Sequence, residues 1–183
     1  KDGGPAEYWM LVARARAATD PGNPGAALEA AQKAVAACPE FAAAHNAIGN
    51  AELRAKNLDK AEVAYKKALE LDAEYVQAKF NLALIALSKG DAAAAITGFD
   101  EVIKKNPQHP RAALVRGRAH LVLKHYPEAV ADLESALLLN PDLPDDWVLL
   151  GKARAAAGQD KASNEAFCKA KDKGSAEGGR LCK

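Results

Sequence analysis

Four histidines, three cysteines and an acidic pair are candidates for catalysis or metal binding in this 183-residue chain. His120 and His125 stand five positions apart, on different faces of a helix, which argues against a two-histidine metal site. No Cys-x2-Cys, His-Glu-x-x-His, phosphate-loop or Gly-x-Ser-x-Gly motif occurs. Asp145-Asp146 precede Trp147 where a helix is expected to begin, so they would cap that helix and complement its dipole. We therefore predict no catalytic residue, no metal site and no cofactor.

The cysteines carry a second kind of chemistry. Cys38 is predicted to end a helix as a small buried hydrophobe. Cys168 and Cys182 flank a helix stop at residues 173–175, and their sulfurs could meet if residues 176–182 fold back as a short helix. A disulfide there would staple a weak terminal cap and place the chain in a periplasmic or other extracytoplasmic compartment. Otherwise the two are unrelated thiols of a cytoplasmic protein.

Composition restricts the class of protein. Hydrophobic residues make up 49% of the chain but aromatic residues only 5%, so alanine, the best helix former, supplies much of the apolar character. This alanine-rich style is typical of GC-rich bacterial genomes. A net charge of +1 argues against nucleic-acid binding, and no apolar run approaches the roughly 18 residues of a membrane span. The chain opens on Lys-Asp-Gly-Gly-Pro, so we expect a processed or excised piece.

Residue types recur along the chain with a period of 34 residues. Such a period is the sign of a stacked repeat. Each unit has two amphipathic stretches, roughly 42–55 and 59–71 in the second unit, joined by a short turn. Gly90 and Gly158 suit the left-handed residue of that turn, and prolines end the second stretch at Asn106-Pro107 and Asn140-Pro141. The aligned columns include Ala27, Ala61, Ala95, Ala129 and Ser163, and Ala31, Tyr65, Phe99, Leu133 and Phe167.

Small residues on the buried sides predict close helix packing. Gly49 on the first helix (helix A) is expected to face Ala61 on the second (helix B), and Ala68 would admit the next unit's helix A.

These columns resemble the tetratricopeptide repeat, whose motif reads Trp-x2-Leu-Gly-x2-Tyr followed by Ala, Phe, Ala and Pro. Trp147, Leu150, Gly151, Phe167 and Ala170 match it in one unit. The resemblance implies an all-α, right-handed α-solenoid of about five helix-turn-helix repeats with a short C-terminal cap. We place a linker at 1–5, units at 6–41, 42–75, 76–109, 110–143 and 144–177, and the tail or cap at 178–183.

Some positions depart from the motif. A strict step of 34 would bury Arg14, so we place Trp9 at the motif tryptophan, which requires a longer first turn at residues 20–24. Arg116 stands at the usual leucine position, where its stem would snorkel along apolar surface. His120 and Arg154 replace an aromatic residue, and Ser163 replaces an alanine.

The resemblance also implies where a ligand would lie, because helices A line the concave face in this family. The inward positions are the second, fifth, sixth, ninth, twelfth and thirteenth of each unit. They give a polar, positively biased strip with apolar patches beside it at Phe80, Leu84, Leu87 and Leu114. The predicted peptide-binding residues are Asn46, Asn50, Gln77, Asn81, Arg111 and Arg118.

Some family members clamp a C-terminal carboxylate with Lys, Asn, Asn, Lys and Arg. Asn50, Asn81 and Arg111 match three of those positions, but Asn46 and Val115 replace the other two cations, so the clamp is incomplete. We predict a non-catalytic scaffold that holds a peptide or helix of a protein partner, acidic if the cations bind it. The alternatives are a self-assembling structural module, acting as a homo-oligomer, and a regulatory domain cut from a larger protein such as a kinase.

Overall fold

The computed structural model describes residues 5–19, 23–109 and 111–183. These residues are helical apart from short turns, and they contain no strand. Their helices are α1 (Pro5–Thr19), α2 (Pro24–Ala37), α3 (Ala42–Arg54), α4 (Leu58–Leu71), α5 (Val76–Ser88), α6 (Ala92–Lys105), α7 (Ala112–Val122), α8 (Tyr126–Leu139), α9 (Pro144–Ala156), α10 (Asp160–Asp172) and α11 (Ala176–Leu181). Pro5 belongs to α1 rather than to the predicted linker, whose residues 1–4 lie outside the described residues, as do Asp20, Pro21 and Gly22 of the first turn.

The helices follow the predicted alternation, with odd-numbered α1 to α9 as helices A and even-numbered α2 to α10 as helices B, and α1 pairs with α2, α3 with α4, α7 with α8 and α9 with α10. The predicted stretches 42–55 and 59–71 correspond to α3 and α4, and no boundary differs from its prediction by more than one residue. The chain divides into two compact units, residues 1–85 and residues 86–183, which we call unit 1 and unit 2. In unit 1, α1 packs on α2, α2 on α3 and α3 on α4. In unit 2 each helix from α6 to α10 likewise packs on the helix that follows it.

Burial in the first repeat agrees with the predicted register that places Trp9 at the motif tryptophan. Ala13, at the motif glycine position, is 4% exposed, and it packs with Ala30 and Ala31 of α2. Arg14 next to it is exposed. The half-buried Trp9 packs on this core, and the Lys33 ammonium lies 4.6 Å from the centre of its ring.

The atoms nearest to the open side of Gly49 belong to the ring of Tyr65, one helical turn beyond Ala61 along α4. A Cβ at Gly49 would lie within 2.8 Å of three Tyr65 ring atoms. The Tyr65 ring is fully buried with Ala61, Ala68 and Ala78. The glycine therefore makes room for a ring, since the long side chain reaches back over the preceding turn of its own helix.

The same contact recurs in unit 2. A Cβ at Gly151 would lie within 2.9 Å of three atoms of the Phe167 ring. At Gly117 the partner is Leu133, whose Cγ would be 3.1 Å from such a Cβ. Leu133 is fully buried with Leu114, Val130 and other apolar residues of α7, α8 and α9.

The turns between helices A and B hold a left-handed residue. Gly90 has φ +88° and Gly158 has φ +75°, as predicted for these positions. Two of the equivalent turns use lysine instead, with φ 63° at Lys56 and 61° at Lys124. A side chain in this conformation clashes with its own carbonyl, at a cost of roughly 1–2 kcal/mol.

Cys38 is exposed rather than buried. It is the C-cap of α2, with an extended backbone at φ −148°, so its side chain has left the row of buried residues that ends at Ala34. The acidic pair also differs in part from its prediction. Asp145 and Asp146 lie in the first turn of α9, where they complement the dipole, but the N-cap is Leu143, which makes no side-chain cap.

Arg116 pairs with two carboxylates instead of snorkelling. Its Nε lies 2.8 Å from Asp132 Oδ2, and its two terminal nitrogens bind Asp132 and Asp100. The hydrogen bonds that Arg116 donates to Asp132 raise the pKa of Arg116, and Asp132 is only 5% exposed. Position 116 is Leu150 in the last repeat, and position 132 is Ala64 or Ala166 in others. The fourth repeat has thus exchanged an apolar pair for an ion pair.

We expect Lys124→Gly to raise the free energy of unfolding by about 0.5–1 kcal/mol, because glycine removes the strain of the positive φ. Gly90→Ala, the reverse change in the equivalent turn, should lower it by about 1 kcal/mol. Urea denaturation measures both. A loss of stability on Lys124→Gly would show that its side chain, rather than the backbone conformation, matters there.

Arg116→Leu should lower the free energy of unfolding by roughly 3–5 kcal/mol, since it leaves the buried Asp132 carboxylate without its partner. Adding Asp132→Ala restores the apolar pair of the other repeats, so the double variant should recover most of that loss. Thermal and urea unfolding of the wild type, both single variants and the double variant give the coupling. Additive losses would contradict the exchange of an apolar pair for an ion pair.

Candidate functional site

The six predicted peptide-binding residues fall in both units. Unit 1 holds Asn46, Asn50, Gln77 and Asn81, and unit 2 holds Arg111 and Arg118. Asn46 and Asn81 are each only 5% exposed, whereas the other four are exposed. Two of the six residues are therefore packed inside the repeat rather than displayed to a ligand.

Three asparagines and a tyrosine form one hydrogen-bond network in unit 1. The Asn81 Nδ2 donates to Asn46 Oδ1 at 3.2 Å and to Asn50 Oδ1 at 3.0 Å. The Tyr65 hydroxyl also donates to Asn50 Oδ1, at 2.9 Å. Burial raises the pKa of Tyr65, so that hydroxyl keeps its proton. The network links α3, α4 and α5, and both of these hydrogen bonds to the Asn50 amide fall on its Oδ1 rather than on its Nδ2.

A cleft of about 420 Å³ opens beside Asn50. Alanines of α1, α2 and α3 form part of its wall together with Leu53. Its polar lining is Arg14, Asn50 and Arg54, and none of its described lining residues is acidic. The positive field of Arg14 also reaches Tyr75, whose pKa burial raises and Arg14 lowers. Sequence reasoning did not select Arg54, although it occupies the thirteenth position, which the family resemblance gives as inward.

Arg111 and Arg118 in unit 2 face an acid. Arg118 Nη2 lies 3.6 Å from Asp146 Oδ1, and half of the Arg118 side chain is exposed. Burial raises the pKa of Asp146, and so does Asp145, while Arg118 and Arg111 lower it. The predicted positive strip is thus partly neutralised in unit 2 by a residue of helix α9.

The predicted apolar patches are only partly at the surface. Phe80 is 3% exposed and Leu114 is 9% exposed, so both belong to the core, while Leu84 and Leu87 are half-buried. Phe80 and Leu114 occupy the fifth position of their repeats, where Asn46 is buried as well. This position packs against neighbouring helices here, which explains why its residues are unavailable.

The histidine rings lie closer together than their spacing predicts. The centroids of His120 and His125 are 5.7 Å apart. The left-handed Lys124 ends the hairpin turn, so His120 lies in α7 while His125 is the N-cap of α8. His120 Nε2 is 3.9 Å from Asp132 Oδ2, and its Nδ1 is buried without a partner. Across the described ranges, no cluster of three or more histidine, cysteine or acidic side chains could hold a metal ion.

The C-terminal segment folds back as a short helix, α11, and the structure joins Cys168 to Cys182 as a disulfide with Cα atoms 4.8 Å apart. Leu181 and Cys182 pack on Val148, Phe167 and Ala170 of the last repeat. No helix in residues 5–19, 23–109 or 111–183 combines the length and the apolar character that crossing a bilayer requires.

The repeat geometry agrees with comparison to known proteins. A tetratricopeptide repeat family model matches residues 12–76, 61–110 and 80–146, which together exceed half of the chain. The chain belongs to the tetratricopeptide repeat family. It is 34% identical over 87 residues to small glutamine-rich tetratricopeptide repeat-containing protein 2 of Saccharomyces cerevisiae, an alignment that covers 48% of this chain. The chain spans about a quarter (25%) of that relative's length.

Solved structures show the same fold. MamA from Desulfovibrio magneticus RS-1, solved from residue 41 to its end, superposes with a TM-score of 0.80 at 17% identity, over 91% of this chain and 93% of that solved chain. YrrB, described as a TPR protein with an unusual peptide-binding site, gives 0.76 at 18% identity, over 97% and 89% of the two chains. The thermophilic TPR protein TTC0263 of Thermus thermophilus gives 0.71 at 19%, over 92% and 91%. The family and the fold together support a protein-interaction scaffold as the general kind of protein.

Asp146→Asn should gain stability relative to the wild type as the pH rises from about 3 to about 7. The folded chain holds the Asp146 proton more tightly than the unfolded chain, since its pKa is raised. Stability therefore falls as the pH rises from the unfolded pKa through the folded pKa, and asparagine removes that loss. Urea denaturation of both proteins across this range measures it. A relative loss with rising pH would mean that attraction to Arg118 outweighs burial.

Proposed function

We propose that this chain is a non-catalytic scaffold that binds a segment of a partner protein through carboxylate side chains of that segment. The observation that carries the proposal is the cleft in unit 1 whose described polar lining residues are Arg14, Asn50 and Arg54. Its volume, about 420 Å³, is within the range of ligand pockets, which hold roughly 300–1,000 Å³.

The polar lining of the cleft favours a ligand that carries hydrogen-bond acceptors. The Asn50 amide oxygen already accepts hydrogen bonds from Tyr65 and Asn81, so Asn50 offers its NH2 group to a ligand. Arg14 and Arg54 have only donors. A guanidinium holds a carboxylate through two parallel hydrogen bonds, which are stronger than neutral ones. An aspartate or glutamate side chain of the partner would match these donors.

The apolar part of the wall gives room for the rest of the segment. Ala13, Ala27, Ala47 and Ala51 present methyl groups, and Leu53 adds a larger apolar side chain. Because alanine side chains are short, a peptide backbone could approach this wall closely. The description of YrrB as a TPR protein with a peptide-binding site supports a peptide as the class of ligand.

The test uses a variant that changes the donors without disturbing the network. Asn50→Asp keeps an oxygen for Tyr65 and Asn81 but replaces the NH2 group by a second oxygen, and Arg14→Gln removes one cation. The double variant should lose roughly tenfold or more in affinity for acidic peptides, since a hydrogen bond to a charged group contributes about 1.5–3 kcal/mol. Peptide arrays containing acidic sequences, with amidated C-termini, provide the probes, followed by fluorescence anisotropy on those that bind.

The control is Lys66→Gln with Asn140→Asp, which changes the net charge equally at exposed positions outside the cleft. It should bind as the wild type does, and circular dichroism checks that both variants fold. Replacement of the peptide's Asp and Glu by Asn and Gln should abolish binding. Equal binding by the double variant and the control would reject the cleft as the peptide site.

A further inference from the structure

Helix α11 covers the outer flank of the last repeat. It packs mainly on α10 and also touches α9, in the same order as α3 packs on α2 and α1. It therefore occupies the place that helix A of a following repeat would take. Beneath it lie Val148, Phe167 and Ala170, which are 4%, 9% and 0% exposed. This apolar surface, which we call the terminal flank, is a helix-docking surface filled by α11.

The sequence of α11 suits docking better than helix formation. A Cβ at Gly178 would be 2.7 Å from Ala170 Cβ and 2.7 Å from the Lys171 nitrogen, so only glycine allows this close approach. Gly178 and Gly179 together weaken the helix, since each costs roughly 1 kcal/mol relative to alanine. At 6 residues α11 is also far below the roughly 12–15 residues of a helix that is stable alone.

The C-terminal segment is held mainly by its contacts with the last repeat rather than by bonds within α11. The disulfide ties Cys182 to Cys168 of α10. Beside it, Asn164 Oδ1 accepts from the Lys183 nitrogen at 2.7 Å and Asn164 Nδ2 donates to the Lys183 oxygen at 3.0 Å. Lys152 pairs with Glu177 at 2.8 Å, but both side chains are about half exposed, so this pair contributes little. Leu181 is the large apolar side chain of α11 on the flank.

We propose that α11 is a redox-gated cap: the Cys168–Cys182 disulfide keeps it on the terminal flank, and reduction releases it and exposes a helix-docking surface. A dithiol reductant supplies the electrons. Its thiolate attacks one sulfur, the S–S bond breaks, and the other cysteine leaves as a thiolate that takes up a proton. The second thiolate of the reductant then closes a cyclic disulfide and releases the first cysteine. Two cysteines gain two electrons and two protons, and one dithiol is oxidised.

The expected change follows from the size of the closed loop. The two cysteines are 14 positions apart. A loop of about this size restricts the open chain by a factor on the order of a hundred. Without that restriction, the weak helix and its single large apolar side chain would have to hold the cap. Its remaining attachments are Asn164, the Glu177 ion pair and the Ser175 cap, whose oxygen accepts from Gly178 at 3.0 Å.

Hydrogen exchange measured by mass spectrometry on the whole chain tests the cap. The amides of Gly179, Cys182 and Lys183 are hydrogen-bonded in the docked form. After reduction with dithiothreitol, or in Cys168→Ser with Cys182→Ser, they should exchange on the order of a hundredfold faster. Amides of α3 and α4 should be unchanged. Trp147 packs beside the flank, so its fluorescence in a Trp9→Phe background should shift to longer wavelength on reduction.

Cys38→Ser is the matched control, because it removes the exposed free thiol and leaves the disulfide in place. It should respond to dithiothreitol as the wild type does. Unchanged protection of residues 179–183 in the reduced wild type, with Trp147 emission also unchanged, would overturn the proposal. If the double serine variant loses its helical circular dichroism, the reduced wild type alone decides. Acidic-peptide affinity plays no part in this test, so the two proposals can fail separately.

Discussion

The repeats that carry a helix-A glycine depend on its close approach to a large side chain on helix B. At Gly49 the Tyr65 ring occupies the space where a side chain would lie, and at Gly151 the Phe167 ring does so. Each ring is thereby buried, with 0% and 9% of its residue exposed. Because one large group fills the crossing of two helices, the remaining buried positions can be alanine. Those alanines leave shallow flanks onto which the next helix packs, so the repeat propagates from this contact.

The order and boundaries of the helices could be predicted from sequence because the signal repeats every 34 residues and is punctuated by proline and glycine. The period does not give the partner of each small residue. It predicts Ala61 opposite Gly49 but not the Tyr65 ring that packs on this glycine, because a long side chain reaches past its own Cα. The exposure of Cys38 escapes prediction for a related reason. The direction of a side chain changes abruptly at a helix cap, where the periodic pattern ends.

For the candidate site, the residue types were predictable and their mutual contacts were not. Asn46 and Asn81 are 35 positions apart, and the hydrogen bond between them withdraws both from the surface. Arg116 meets Asp100 and Asp132, each 16 positions away, so its apparent misfit in the motif is a pairing between helices. Such contacts depend on which helices become neighbours. A single sequence shows that a charged residue breaks the pattern, but not which distant carboxylate accompanies it.

Tyr65 connects the packing of the repeat with its proposed binding chemistry. Its ring is core, but its hydroxyl reaches Asn50 at the ninth position of the same repeat and fixes that amide. The aromatic residues at the equivalent positions, Phe99 and Phe167, have no hydroxyl. Where the ring is Phe167, the ninth position is Lys152, which turns instead to Glu177 of α11. The pair of Tyr65 and Asn50 therefore gives its repeat a held amide, whereas the last repeat, with Phe167 and Lys152, directs its cation to the cap. No mobile surface side chain is needed to orient Asn50. The core contact that buries the Tyr65 ring already holds the hydroxyl to which Asn50 is bonded.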